Sequence, residues 1–418
     1  METEVENMDG YIARSMEKTL GEMAEHFPVV VLSGARQTGK TTLARRWMEG
    51  PGGKAGYVTL DHPKERELAR RDPELFLQEH PEPAVIDEVQ YAPELFPHIK
   101  MRVDAGGGTG RYVLTGSQLF RLMRNAGESL AGRAGLLTLH GLTRAEREGY
   151  EEEPFLPGGR RMTPAKGTET ERSLFETILR GGMPKLAADP GLSAETYFAG
   201  YVQTYLERDI RDLRAVKDEG KFFRFLGCAA ARTGQELNLS ELGRDAGVDM
   251  KTAEQWVSLL VTSGLAFLLQ PWSGNTTKRF VKRPKLYFLD TGLACYLSLW
   301  NDAGALSRSA MAGAMMETHV VGEVVKELSN RGRDARSRLA YYRDHSGREI
   351  DLLVMEGGMF HPVEIKKSAE PGKDAVRHFK ALEEAVGAAR VGEGAVVCLA
   401  GKGYVLDGKN RVVPVGEV

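Results

Sequence analysis

Residues 34–41, Gly-Ala-Arg-Gln-Thr-Gly-Lys-Thr, satisfy the spacing G-x-x-x-x-G-K-[ST] in full. Gly34 and Gly39 let backbone N–H groups curl around a phosphate chain, and the helix that should follow adds partial positive charge. Ala35, Arg36, Gln37 and Thr38 supply the intervening amides. Lys40 would reach the β- and γ-phosphates of ATP, Thr41 would ligate Mg²⁺, and Thr42 completes the cofactor-binding run. The bland alternative is a chance glycine-rich turn, but an apolar strand before the run and a helix after it argue against that. A second element agrees. Residues 84–86 form an apolar strand ending in Asp87-Glu88, where Asp87 would hold the Mg²⁺ through water and Glu88 would polarise an attacking water. Hydrolysis, rather than binding alone, is therefore expected. Ser117, at the tip of the strand 112–114, is a candidate γ-phosphate sensor; a helix cap is its ordinary alternative. Arg133 is a candidate arginine finger acting on a neighbouring subunit's nucleotide, although a lone arginine is usually a surface residue.

A second constellation lies near the C-terminus. In the strand 350–355 the apolar residues Ile350, Leu352 and Val354 are expected to face one way, and Glu349 and Asp351 the other. Gly357-Gly358 turns the chain into a strand 361–366 carrying Glu364 and Lys366. Adjacent strands would bring Asp351 to Glu364 and Lys366, the pattern of restriction-endonuclease-like folds, in which acids hold Mg²⁺ and a lysine positions water. The helix 311–329 offers Glu317 and Glu323 as a further acid. The competing reading is a surface ion-pair cluster on the polar face of a sheet. Upstream, Lys278, Arg279, Lys282, Arg283 and Lys285 form a basic run that could contact DNA phosphates. A solvated hairpin used for packing is the alternative there.

The elements that must position these groups follow from the hydrophobic pattern. Strands 29–32, 57–60, 84–86, 112–115 and 136–139 alternate with helical segments, which indicates a parallel α/β sheet. Ser240 and Asp249 can cap two short helices ended by Gly247 and Gly264, and the strands 265–269 and 285–289 after them complete a winged helix-turn-helix pattern. The fold class is α/β: a P-loop sheet domain over 1–150, a linker and helical segment over 151–215, a winged-helix region over 216–300 and a C-terminal α/β domain over 301–418. At 418 residues, several domains are the prior. A formal charge of −2 gives no whole-chain case for nucleic acid, so such binding must rest on a local patch. Three distant cysteines offer neither a disulfide framework nor a zinc spacing. The apolar runs are too short for a membrane span, and the cytoplasm is the expected location.

With those residues in hand, the chain resembles prokaryotic AAA-type P-loop ATPases that carry an uncharacterised C-terminal domain of nuclease-like, PD-(D/E)XK type. The resemblance runs over nearly the full length. It rests on residues 34–43, Leu60-Asp61, Asp87-Glu88-Val89-Gln90, Leu114-Thr115-Gly116-Ser117, 129–133, 180–184, 205–209, 285–293 and Glu364-Ile365-Lys366. It implies ATP and Mg²⁺, ring or dimer assembly into a homo-oligomer, a sensor at Ser117 and a finger at Arg133. Two functions are then open. One is an ATPase driving a DNA-directed or nuclease-like domain. The other is an ATP-controlled DNA- or protein-binding switch with an inert nuclease-like domain. A small-molecule kinase is disfavoured because nothing marks an acceptor site.

Overall fold

The structure, a computed structural model, describes residues 10–50, 52–117, 130–151, 154–159, 169–206, 218–274 and 283–418. Strands β1 (Val29–Ser33), β2 (Gly56–Thr59), β3 (Ala84–Asp87), β4 (Tyr112–Gly116) and β5 (Ala134–Thr138) form one parallel sheet in the order β2-β3-β4-β1-β5. The run Val-Val-Val-Leu in β1 is unbroken because both faces of the strand are covered. Val29 and Val31 join Phe76, Leu95 and Phe96 on one side, while Val30 and Leu32 join Met16, Leu20, Leu43 and Trp47 on the other. Parallel pairing puts all five carboxyl ends at one edge. Because β4 lies between β1 and β3, the loop after β1 and the acids at the carboxyl end of β3 flank the polar tip of β4.

Helices Glu171–Arg180, Ala194–Tyr201, Glu219–Ala230, Leu239–Ala246 and Met250–Thr262 follow. Strands β6 (Gln235–Glu236), β7 (Ala266–Leu269) and β8 (Lys285–Phe288) make a small antiparallel sheet in the order β6-β8-β7. Asp249 caps Met250–Thr262 as expected, accepting from Thr252 N at 2.9 Å. Ser240 does not cap the helix before it. Asn238, extended and two residues earlier, accepts from Glu241 N at 3.3 Å, so the helix begins at Leu239 and Ser240 already lies inside its first turn.

The C-terminal unit starts with the 19-residue helix Ala312–Asn330. Its sheet contains β9 (Leu339–Arg343), β10 (Glu349–Glu356), β11 (Met359–Lys366), β12 (Gly394–Cys398), β13 (Tyr404–Val405) and β14 (Asn410–Pro414), in the order β13-β14-β12-β11-β10-β9. Helix Phe379–Val386 connects β11 to β12, which pair in parallel. The simple alternation expected for β10 fails. Its register against β9 shifts between Ile350 and Leu353, so Ile350 and Leu353 pack into one core while Leu352 and Val354 pack into the other.

One buried cluster spans the helical region and one face of this sheet, including Phe175, Phe225, Trp256, Phe288, Val320, Leu352, Val397 and Val418. Helix Ala312–Asn330 also docks on the first sheet's domain. Glu323 Oε2 accepts from Arg144 N at 2.7 Å, and the Asn330 carbonyl accepts from Thr19 Oγ1 at 2.7 Å. Among the described residues no helix is long and apolar enough to cross a membrane.

Candidate nucleotide site and a second acidic cluster

The glycine-rich loop joins β1 to helix Lys40–Glu49 through three residues of positive φ. Gly34 (φ +145°) cannot carry a side chain, since a Cβ would stand 2.0 Å from the Leu139 carbonyl oxygen. Gly39 (φ +93°) starts the helix. Gln37 adopts φ +61° without being glycine, and its side-chain oxygen accepts from the Tyr197 hydroxyl at 2.5 Å. Lys40 is buried, with its ammonium donating to the carbonyls of Gly34 (3.1 Å) and Ala35 (2.8 Å). Thr38 closes the turn by donating to Ala35 O at 2.9 Å. Arg36 is half-buried, and Thr42 is exposed one residue beyond Thr41.

The acids that end β3, Asp87 and the following Glu88, meet this loop across β4. Thr41 Oγ1 donates to Asp87 Oδ2 at 2.9 Å, and the Tyr57 hydroxyl donates to the same oxygen at 2.9 Å. Thr115 donates to the other Asp87 oxygen. Buried Asp87 is thus oriented by three hydroxyls, and Thr41 and Asp87 are close enough to share one ion. Glu88 leaves the strand in a left-handed conformation (φ +56°), a strain that bulky residues accept only where their surroundings hold them there. Its carboxylate takes a hydrogen bond from Gln90, whose amide also lies 3.5 Å from Ser117 Oγ. Burial pushes the Glu88 carboxyl above its usual range, against the opposing pull of Gln90, Lys40 and Arg36. Arg133 is not in this group. It precedes β5 at the opposite edge of the sheet, where its guanidinium pairs with Asp104, Nη2 to Oδ2 at 3.1 Å.

The C-terminal acids come together in part. Lys366 Nζ lies 2.5 Å from Glu364 Oε1 and 3.9 Å from Asp351 Oδ2, and Asp351 Oδ2 accepts from Ile365 N at 2.9 Å. Glu317 joins them from helix Ala312–Asn330. Glu323 does not. Six residues further on it is turned roughly 240° around the helix, away from the sheet edge. Burial would raise the Glu323 carboxyl, but Lys326 and Arg147 prevail and hold it down at about 2.

Lys285 corrects a second expectation. It is only 3% exposed, and its ammonium lies 2.9 Å from Glu317 Oε1, 2.6 Å from Glu349 Oε1 and 4.0 Å from Asp351 Oδ1. A side chain so enclosed cannot touch a DNA phosphate. Arg283 is exposed, and Lys278, Arg279 and Lys282 lie outside the described residues. Burial and the neighbouring Asp351 push Glu317 and Glu364 well above the usual carboxylate range, despite Lys285 and Lys366. Several acids compete here for few cations, so the lysines stay charged while the acids repel one another. Among the described residues no three His, Cys, Asp or Glu side chains form a ready metal cage.

Tyr57, Thr115, Gln90, Arg14 and Lys285 were not singled out by motif spacing for these roles. Arg14 is buried, donating to Thr38 O at 2.7 Å and His140 O at 2.8 Å and pairing with Glu146 at 3.0 Å. Period-2 alternation could have flagged Lys285, because Tyr287 two residues on also reaches Glu317, its hydroxyl donating at 2.6 Å.

Residues 26–148 match the family model described as an AAA domain. Residues 171–304 and 312–418 match two domains of unknown function, DUF8612 and DUF4143. The chain is 32% identical over 346 residues to the uncharacterized protein Rv2008c of Mycobacterium tuberculosis, covering 82% of this chain and 71% of that protein. The chain belongs to this family of AAA-domain proteins. The same figures hold for Mb2031c of Mycobacterium bovis. Solved structures are more distant. The Walker-type ATPase PABY2304 of Pyrococcus abyssi is 14% identical, with a TM-score of 0.45 over 70% of this chain and 97% of its own. The Thermotoga maritima RuvB branch migration motor is 15% identical, with a TM-score of 0.28 over 66% and 97%. The first domain is an AAA-type P-loop α/β unit, followed by a helical region and a C-terminal sheet domain.

Proposed function

We propose that this protein is an ATPase that binds ATP in the loop 34–41 and hydrolyses it. The observation that carries this is the convergence of Lys40, Thr41, Asp87 and Glu88 at the carboxyl ends of β1 and β3. Lys40 would exchange its two loop carbonyls for phosphate oxygens. Thr41 and Asp87 are the residues that would hold Mg²⁺, which supplies charge neutralisation of the phosphates. Glu88, raised by burial and tethered through Gln90 to Ser117, would take a proton from water, and Ser117 would report on the γ-phosphate. Arg133 is remote from its own chain's loop, which suits a role on a neighbour's nucleotide in a homo-oligomer. Steady-state phosphate release by the wild type and by Glu88→Gln, each with and without DNA, tests the reading. Turnover that survives Glu88→Gln undiminished sinks the assignment of the base, and DNA stimulation would identify nucleic acid as the partner.

For the C-terminal unit, a nuclease-like fold is supported by the order long helix, short helix, three strands, helix, strand from Ala312 to Cys398 and by the meeting of Asp351, Glu364 and Lys366. We favour a domain in which the acids do not cleave in the state described, because Lys285 lies among them. The pair Leu239–Ala246 and Met250–Thr262 with the β6-β8-β7 sheet is consistent with a winged helix. Any DNA contact by its basic run would fall to Arg283 and the residues before it. Strongly salt-dependent DNA binding, lost when Lys278, Arg279 and Lys282 are neutralised, is the expected result; salt-insensitive binding would point to a protein partner.

A further inference from the structure

We propose that Lys285 is an internal counterion standing where a divalent cation would sit, so that lysine and metal exclude one another from the acidic cluster of the C-terminal unit. The inference rests on the nuclease-like reading of that cluster and adds its control. Lys285 belongs to β8, in the small β6-β8-β7 sheet, whereas Glu349, Asp351, Glu364 and Lys366 belong to β10 and β11 of the C-terminal sheet. The ammonium therefore enters the cluster from a different sheet. It touches Glu317 at 2.9 Å and Glu349 at 2.6 Å, stands 4.0 Å from Asp351 and lies 5.5 Å from the centre of the Tyr341 ring.

Two observations indicate that the lysine fills the place of a cation without satisfying it. First, Glu364 is 6% exposed, and among the described residues its buried Oε2 has no hydrogen-bond partner, while Oε1 is taken by Lys366. A buried carboxylate oxygen without a donor is costly. Second, four carboxylates, Glu317, Glu349, Asp351 and Glu364, face the ammonium groups of Lys285 and Lys366, while Arg343 pairs with Glu236 at 3.0 Å and stands 3.4 Å from Glu349. An ammonium offers one charge and three donors. A divalent cation offers two charges and about six coordination places, enough to engage the free Glu364 oxygen directly or through its waters. With Lys285 in place, the ammonium holds the Glu317 oxygen and stands beside Asp351, so a second cation would be repelled from the same few ångströms.

The test is Mn²⁺ binding to the nucleotide-free full chain, followed by paramagnetic resonance of free Mn²⁺. Lys285→Met should bind Mn²⁺ at least tenfold more tightly than the wild type, and adding Asp351→Asn should abolish the gain. Lys285→Met/Glu349→Gln, which removes one charge of each sign, serves if the single variant unfolds. In the wild type, raising Mn²⁺ until an Asp351-dependent site fills should expose Lys285 to acylation, read by mass spectrometry. If the wild type fills that site as tightly as the variant, or fills it with Lys285 still protected, the exclusion is wrong while the metal reading stands. If folded variants and wild type alike bind no Mn²⁺ through Asp351, the metal reading itself falls and takes this proposal with it.

Discussion

Lys40 donates to two carbonyls of its own loop, so its charge is already positioned where phosphate oxygens would arrive. Charge-assisted hydrogen bonds are worth about 1.5–3 kcal/mol each. Lys40→Ala should therefore weaken nucleotide binding by at least about tenfold, read by titration with a fluorescent ATP analogue. Unchanged affinity would remove the loop from the nucleotide site. Glu88 should behave differently: Glu88→Gln keeps shape and burial, so it should retain binding and lose turnover by about 10²–10⁴-fold. The contrast between the two variants separates holding the phosphates from activating water.

Elements impose tighter limits than their motif letters suggest. Gly34 is required by a positive φ and by the Leu139 carbonyl just past the end of β5. Gly34→Ala should cost about 3 kcal/mol or more in denaturant unfolding, since neither backbone nor carbonyl can retreat cheaply. Asn238→Ala should cost about 1 kcal/mol through the lost cap of Leu239–Ala246, and Ser240→Ala far less. His140, two residues beyond β5, shows an electrostatic limit. Burial, then Lys326 and Arg14, push its imidazole down to about 3 from an ordinary 6.5. The folded chain thus refuses a proton that the unfolded chain accepts, and stability falls as pH drops from 6.5 towards 3 by up to about 1.4 kcal/mol per pH unit. His319, held at about 4 chiefly by burial, acts in the same direction. His140→Leu should flatten the acid limb of stability against pH by about one proton; an unaltered slope would show that His140 titrates normally.

At the scale of the molecule, the helix Ala312–Asn330 joins both halves. Its Glu317 reaches the acidic cluster while Glu323, Lys326 and Asn330 bind the first domain. Glu323→Ala would strand the Arg144 amide without its acceptor and take from buried Lys326 its carboxylate partner, leaving it the Leu142 carbonyl, at a cost of about 3 kcal/mol in thermal unfolding. It should leave Mn²⁺ binding at the acidic cluster unaltered, because Glu323 faces the other way. Metal binding that depended on Glu323 would contradict that orientation. The helical region also meets the loop directly: Tyr197 bonds Gln37, and a methyl on Gly264 would stand 3.4 Å from Ala35 N. Events at the nucleotide loop therefore have packed neighbours in the same region that carries Lys285.

The sequence by itself determined what depends on local spacing. Residues 34–41 carry their own turn chemistry, and the unbroken apolar runs of β1, β3 and β4 announce strands covered on both faces. The pairing of Asp351 with Glu364 and Lys366 was legible for the same reason, since adjacent antiparallel strands with a tight turn leave little choice of register. Tertiary structure decided the rest. The bulge in β10 sends Ile350 and Leu352 to different cores, which no alternation rule anticipates. The rotation of a long helix chose Glu317 and rejected Glu323. Lys285 looked like one charge in an exposed basic run, yet its place in β8 buried it among acids contributed by residues 32 and more positions away. Long-range charge pairs leave no periodic trace in a chain, so their partners emerge only once the sheets are assembled.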